Sequence, residues 1–109
     1  MIEPSYLVVL VTVGSQEEGR GIAEALVAQR KAACVNIVSQ VNSIFRWEGK
    51  IEDDQESLLV IKSRADLLQD IVDLVKGIHS YDVPEIIALP IIDGNREYLS
   101  WIGDETEAK

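Results

Sequence analysis

The chain alternates between apolar runs that read as strands and apolar stripes that read as helices, and it does so twice. Residues 6–13, YLVVLVTV, are apolar or β-branched on both alternating faces, the pattern of a strand covered on both sides. GSQEE then breaks the run. Ser15 and Glu18 have the S-x-x-E spacing of a capping box, in which each side chain satisfies a free amide of the first helical turn. The helix that follows sets Ile22, Ala25, Leu26 and the stem of Gln29 on one stripe. From Ala33 to about Trp47 the residues favour a strand again, interrupted by Gln40, Asn42 and Ser43, and WEGK supplies a turn. The second half repeats the scheme. ESLLVIKS, residues 56–63, predicts a strand, and Ser63 with Asp66 offers a second S-x-x-[DE] helix start. Leu67, Leu68, Ile71, Val75 and Ile78 share one helical face, the helix stops between Gly77 and Ser80, and EIIALPII predicts a last strand whose Pro90 marks an edge or an end. A tail helix starting at Asn95 would carry Tyr98, Leu99, Trp101 and Ile102.

The order βαββαβ with right-handed crossovers resolves most simply into a four-stranded antiparallel sheet of ferredoxin-like type, an α+β fold, over one domain spanning residues 1–109. Two helices cover one face. The other face is apolar too, because Val8, Leu10, Leu58 and Val60 share one parity while Leu7, Val9, Val11, Leu59 and Ile61 share the other. That face, together with a second strand longer than the usual ~6 residues, predicts packing against further copies of the chain.

Composition removes some functions. Hydrophobic residues make up 47% of the 109 and charged residues 27%, a globular balance. Nineteen acidic against ten basic residues give a net charge of −9, and no cluster of Lys and Arg is present to neutralise phosphates. Nucleic acid and anionic membrane are therefore not expected partners. The single cysteine, Cys34, cannot form an internal disulfide, and the apolar run Leu7 to Val11 is too short for a membrane span and lacks a basic flank. A cytoplasmic location is expected.

Candidate chemistry centres on GIHSYDVPEI, residues 77–86, which holds the only histidine. In this topology the first two strands run up and the last two run down. His79, Tyr81 and Glu85 then sit at the top, beside the turn carrying Trp47, Glu48, Lys50 and Glu56. Cys34 opens the second strand at the bottom, near Lys62, so Cys34 and His79 could share a site only across a subunit boundary. C-x-x-C, H-E-x-x-H, G-x-S-x-G and P-loop motifs are absent, and the topology separates the one Cys–His pair. No enzyme activity and no organic cofactor are expected. His79 and Glu85, with Tyr81 and Asp82 as further oxygen donors, form an N/O ligand set that suits Cu(II) or Zn(II), with copper favoured by the Irving–Williams order. Structural roles compete for the same residues. A histidine at a helix C-terminus gains from the helix dipole. Cys34 between alanines and Val35 behaves as a small buried hydrophobe, Glu85 could pair with Lys50, EDDQE at 52–56 reads as a solvated hairpin loop, and Trp47 and Trp101 read as packing anchors.

Taken together, ACVNI, SIFRWEGKIE, ESLLVIKS, HSYDVPEII and YLSWI resemble the CutA family, the divalent-cation tolerance proteins, in order and at matching spacing over nearly the whole chain. The resemblance implies a trimer of ferredoxin-like subunits whose long second and third strands extend between subunits, and it implies copper binding linked to metal tolerance. The family's cysteine falls on Cys34, its tryptophan on Trp47, its histidine on His79, and its tyrosine and glutamate on Tyr81 and Glu85. This sequence departs from the pattern at Phe45, where the family commonly has tyrosine, and at Ser80, where it commonly has proline, which is expected to loosen the loop that aims His79. The candidate metal ligands are thus His79, Glu85 and Cys34. An alternative resembles the trimeric PII-like sensors, binding an anion or metabolite in inter-subunit clefts lined by Trp47, Lys50, Glu56, Lys62 and Tyr81.

Overall fold

The computed structural model describes residues 5–106. Eight elements follow one another: β1 (Tyr6–Val13), α1 (Gln16–Ala28), β2 (Cys34–Trp47), β3 (Lys50–Arg64), a 3₁₀ turn (Ala65–Leu67), α2 (Leu68–Ile78), β4 (Ile86–Pro90) and α3 (Arg96–Glu105). The sheet runs β2-β3-β1-β4 with every neighbouring pair antiparallel, the ferredoxin-like order.

Alternation along the strands divides the sheet into two faces. Leu7, Val9, Val11 and Val13 of β1 and Leu59 and Ile61 of β3 are buried beneath Ile22 and Leu26 of α1 and Ile71 and Val75 of α2. Gly19 lets α1 lie this low. A Cβ there would stand 3.1 Å from both Leu59 Cδ2 and Val13 Cγ2, so these side chains would have to give by a few tenths of an ångström. The α1 stripe is Gly19, Ile22, Ala23 and Leu26, with Ala25 half-buried, and Ile78 in the last turn of α2 is exposed rather than on the buried face.

The helix starts differ from expectation in one place. Ser15 caps α1, its hydroxyl accepting from the Glu18 amide at 3.1 Å. The second S-x-x-[DE] pair does not cap α2. Ser63 is the buried penultimate residue of β3 and donates to the Lys31 carbonyl, while Asp66 pairs with Arg64, and the chain enters α2 through the 3₁₀ turn. Helix α1 closes with the amides of Arg30 and Lys31 bonded to the Val27 and Leu26 carbonyls, a Schellman motif that requires the left-handed φ of 58° at Arg30.

On the second face, α3 packs against β1 and β3. Its Ile102 is buried, Gly103 lies against the Tyr6 ring, and Arg30 donates to the Asp104 carbonyl at 2.9 Å. The cover is partial. Val8, Leu10, Leu58 and Val60 remain half-buried, and Val38, Ile87 and Leu89 are exposed.

The β2–β3 hairpin outruns the sheet. β1 pairs with β3 only as far as Val13 opposite Ser57, whereas β2 and β3 stay paired to Trp47 opposite Lys50. The free ribbon projects on the order of 20 Å at ~3.3 Å per residue. EDDQE is therefore strand, not loop, because residues 52–56 find ladder partners from Phe45 back to Val41. The tip turn puts Glu48 at φ 51° and Gly49 at φ 80°, the two positive values of a type I′ hairpin. Between Val38 and Val41 the register shifts at a bulge, held by the Ser57 hydroxyl donating to the Ser39 carbonyl at 2.8 Å.

Candidate functional site

Helix α2 ends at His79, whose amide donates to the Val75 carbonyl at 2.8 Å and whose backbone turns extended, at φ −63° and ψ 140°. That turn swings the ring back over the end of β1, where its side chain is 0% exposed. Nε2 lies 2.7 Å from the Thr12 carbonyl oxygen. A carbonyl can only accept, so Nε2 carries the proton. Nδ1 then presents its lone pair to the Tyr81 amide, 3.0 Å away. Both nitrogens are committed, and in this neutral tautomer neither has a lone pair free for a metal.

Glu18 stands on the other side of the ring, Oε2 3.6 Å from Nδ1. Its carboxylate accepts from the Ser80 amide at 2.7 Å, the Ser80 hydroxyl at 3.1 Å and the Gly14 amide at 3.3 Å. Burial works against its charge, but these hydrogen bonds outweigh that and hold its pKa below the ordinary carboxylate value. Ser80 was expected to loosen this loop. It does the reverse, since it offers two donors to Glu18 where a proline would offer none. Tyr81 continues the chain of bonds, its ring 4.6 Å from the imidazole and its hydroxyl donating to Glu56 Oε2 at 2.9 Å. Burial, that hydrogen bond and the carboxylates of Glu56, Glu18 and Asp54 push the phenol up to about 12.

The remaining sequence-predicted residues are dispersed. Trp47 and Lys50 face each other at the ribbon tip, far beyond Glu56, so they do not stand beside His79 in the protomer. Glu85, just before β4, is exposed and forms no ion pair with Lys50 among the described residues. Cys34 lies at the opposite end of the sheet, as the topology requires, with the Lys62 ammonium 4.0 Å from its sulfur. Tyr98 of α3 sits there too, its pKa raised by burial and by the Cys34 sulfur beside it. Lys50 and Lys62 thus occupy opposite ends of β3, and the proposed anion-binding set of Trp47, Lys50, Glu56, Lys62 and Tyr81 does not assemble within one protomer. What does form is a polar cleft of about 340 Å³ between residues 14–16 at the start of α1, 39–40 of the bulge and 55–57 of β3. Of the expected residues only Glu56 lines it. Thr12, which holds the His79 ring, and Glu18, which holds the Ser80 loop beside it, were invisible as site residues in the sequence; Glu18 was legible only as a capping residue.

The donors within the single chain do not fit a copper centre. Among the described residues no three of His, Cys, Asp and Glu stand together as ligands, and the imidazole is already occupied on both sides.

The sequence profile of the CutA1 divalent ion tolerance proteins matches residues 7–105. The chain belongs to the CutA1 family. The divalent-cation tolerance protein CutA of Thermus thermophilus is 52% identical over 99 residues, covering 91% of this chain and 96% of that protein. The human protein CutA is 44% identical over 98 residues, but this CutA1 chain spans only 55% of its length, and likewise 55% of the chloroplastic CutA of Arabidopsis thaliana. Among solved CutA1 structures, that from Thermus thermophilus superposes with a TM-score of 0.92 at 51% identity, covering 94% of this chain and 99% of its own. That from a psychrotrophic Shewanella superposes at 0.95 with 37% identity, covering 98% and 100%. No helix among the described residues is long and apolar enough to cross a membrane.

Proposed function

We propose that the protein acts in divalent-cation tolerance as a homotrimer, by binding rather than by catalysis, and that it takes a copper-type cation between subunits rather than within one. The observation that carries the reading is the unfinished surface of the protomer. An apolar sheet face is only partly covered by α3, and next to it a ribbon projects with Ile44 and Ile51 largely exposed, at 71% and 70%. Exposed apolar area of this extent marks an interaction surface, and membership of the CutA1 family supports a cation as the cargo. An inter-subunit site also agrees with the scatter of Glu85 and Cys34 in the single chain, and His79 joins it only where assembly frees Nδ1 from the Tyr81 amide. A cytoplasmic location belongs to the same proposal and is checked by cell fractionation.

The test is light scattering followed by Cu(II) titration of the wild type, His79→Ala and Glu85→Ala, each first shown to keep its assembly. A mass of three chains, stoichiometric Cu(II) uptake by the wild type and loss of uptake in the variants are expected. A monomer would sink the inter-subunit reading. No uptake by an intact trimer would sink the copper assignment, and unchanged uptake in both variants would remove these two residues from the site.

A further inference from the structure

The cleft at the β2 bulge has a lining chemistry that neither the hydrogen-bond network nor the assembly of the sheet uses. Ser15 and Ser57 spend their hydroxyls on the α1 cap and the bulge. The carboxamides of Gln16, Gln40 and Gln55 have no side-chain partner among the described residues, and Glu56 has one oxygen engaged by Tyr81 and the other without a hydrogen bond. Among the described residues no lysine or arginine lines the cleft, and Glu56 forms no ion pair there. The bulge is what opens the space, because Ser39 and Gln40 leave the β2–β3 ladder at this point; bulges recur beside binding sites for that reason.

We infer that this cleft binds a small polar molecule carrying an ammonium or guanidinium group. The cation sits on the free oxygen of Glu56, and the rest of the molecule exchanges hydrogen bonds with Gln16, Gln40 and Gln55. Ammonium and guanidinium groups bring only donors, three and five of them, which match a carboxylate and amide carbonyls. The α1 N-terminus at residues 14–16 draws an anion by itself, but Glu17 and Glu18 in its first turn and the Glu56 charge oppose one, with no basic side chain in the lining to offset them. A bare divalent ion would find one carboxylate and scattered amides in a cleft of about 340 Å³, too sparse a set to replace its hydration shell. The inference is independent of where the tolerance cation binds.

Putrescine, 1,4-butanediol and succinate share a four-carbon frame and differ in charge, so calorimetric titration of the intact full-length protein with each reads the charge preference directly. Putrescine is expected to bind, and the diol and the dianion to bind at least about tenfold more weakly. Glu56→Gln should weaken putrescine by about tenfold or more, as expected for removal of a charge-assisted bond. Gln40→Ala, in the exposed bulge, should weaken it without disturbing the Tyr81–Glu56 pair, and melting temperatures without ligand show that each variant folds. Glu52→Gln on the ribbon should leave the affinity unchanged. No binding of putrescine up to about 10 mM, equal binding of all three probes, or equal losses in Glu56→Gln and Glu52→Gln would overturn the inference.

Discussion

Glu18 combines two roles that the sequence displays as one. Its place after Ser15 reads as a capping box, and the cap is there, yet the carboxylate bypasses the Ser15 amide and reaches Gly14 and the Ser80 loop. No spacing rule exposes such a partner, since the two residues meet only when α1 and α2 lie side by side. The role of His79 was hidden for the same reason. A lone histidine in a polar loop reads as available, and only the fold shows that Thr12 and Tyr81 occupy both nitrogens. Because the Glu18 pKa is depressed in the folded protein, its contribution to stability is fully present above the ordinary value of 4.5 and is lost as pH falls through the lowered one. Thermal melts of the wild type and Glu18→Gln across this range should converge as pH drops, and a constant gap would contradict the linkage. At the ribbon tip, Glu48 carries a positive φ that costs a residue with a Cβ about 1 kcal/mol and asparagine less. Glu48→Asn should therefore stabilise the protein by ~0.5–1 kcal/mol in denaturant titration.

The elements themselves were largely legible from periodicity. β1, the Ser15 cap, the Asn95 start of α3 and the end of β2 at Trp47 fall where the pattern puts them. The misread segment was 52–56, because acidic residues disfavour strands and no apolar alternation marks them. Their strand is imposed by the I′ turn, which aligns them with residues 41–45. Helix α3 shows the opposite balance, a helix whose small apolar side settles over Tyr6 on the second sheet face, with Tyr98 and Trp101 5.5 Å apart beside it. Ile102 is its buried anchor. Ile102→Ala should cost about 2–5 kcal/mol, read as a lowered denaturation midpoint, whereas Ser100→Ala on the exposed side should cost almost nothing; equal effects would show that α3 does not depend on this contact.

For the whole molecule, one face of the sheet is finished within the chain and the other is not. A charge at the centre of the unfinished face separates its two possible roles. Leu10→Asp places a carboxylate where the proposed assembly buries it unpaired, at a cost of several kcal/mol, while in a lone protomer it would remain half-solvated. Light scattering should find smaller species for this variant with its helical circular dichroism retained. An unchanged mass would show that subunits do not meet on this face. The sequence disclosed this incompleteness through the double parity of β1 and β3, but could not disclose how much of it α3 takes up, since a ten-residue amphipathic helix fits either face.

The acid run on the ribbon acquires a meaning from its geometry that its composition lacks. A long hairpin standing clear of its sheet presents backbone edges and apolar side chains at Ile44, Phe45, Trp47 and Ile51, a template onto which stray strands of any molecule could add. Glu52, Asp53, Asp54 and Glu56 outnumber Arg46 and Lys50 along that template, so two ribbons approaching edge to edge meet a net like charge before their amides can pair. Edge charge of this kind disfavours stacking of one ribbon on another, and only while it is ionised.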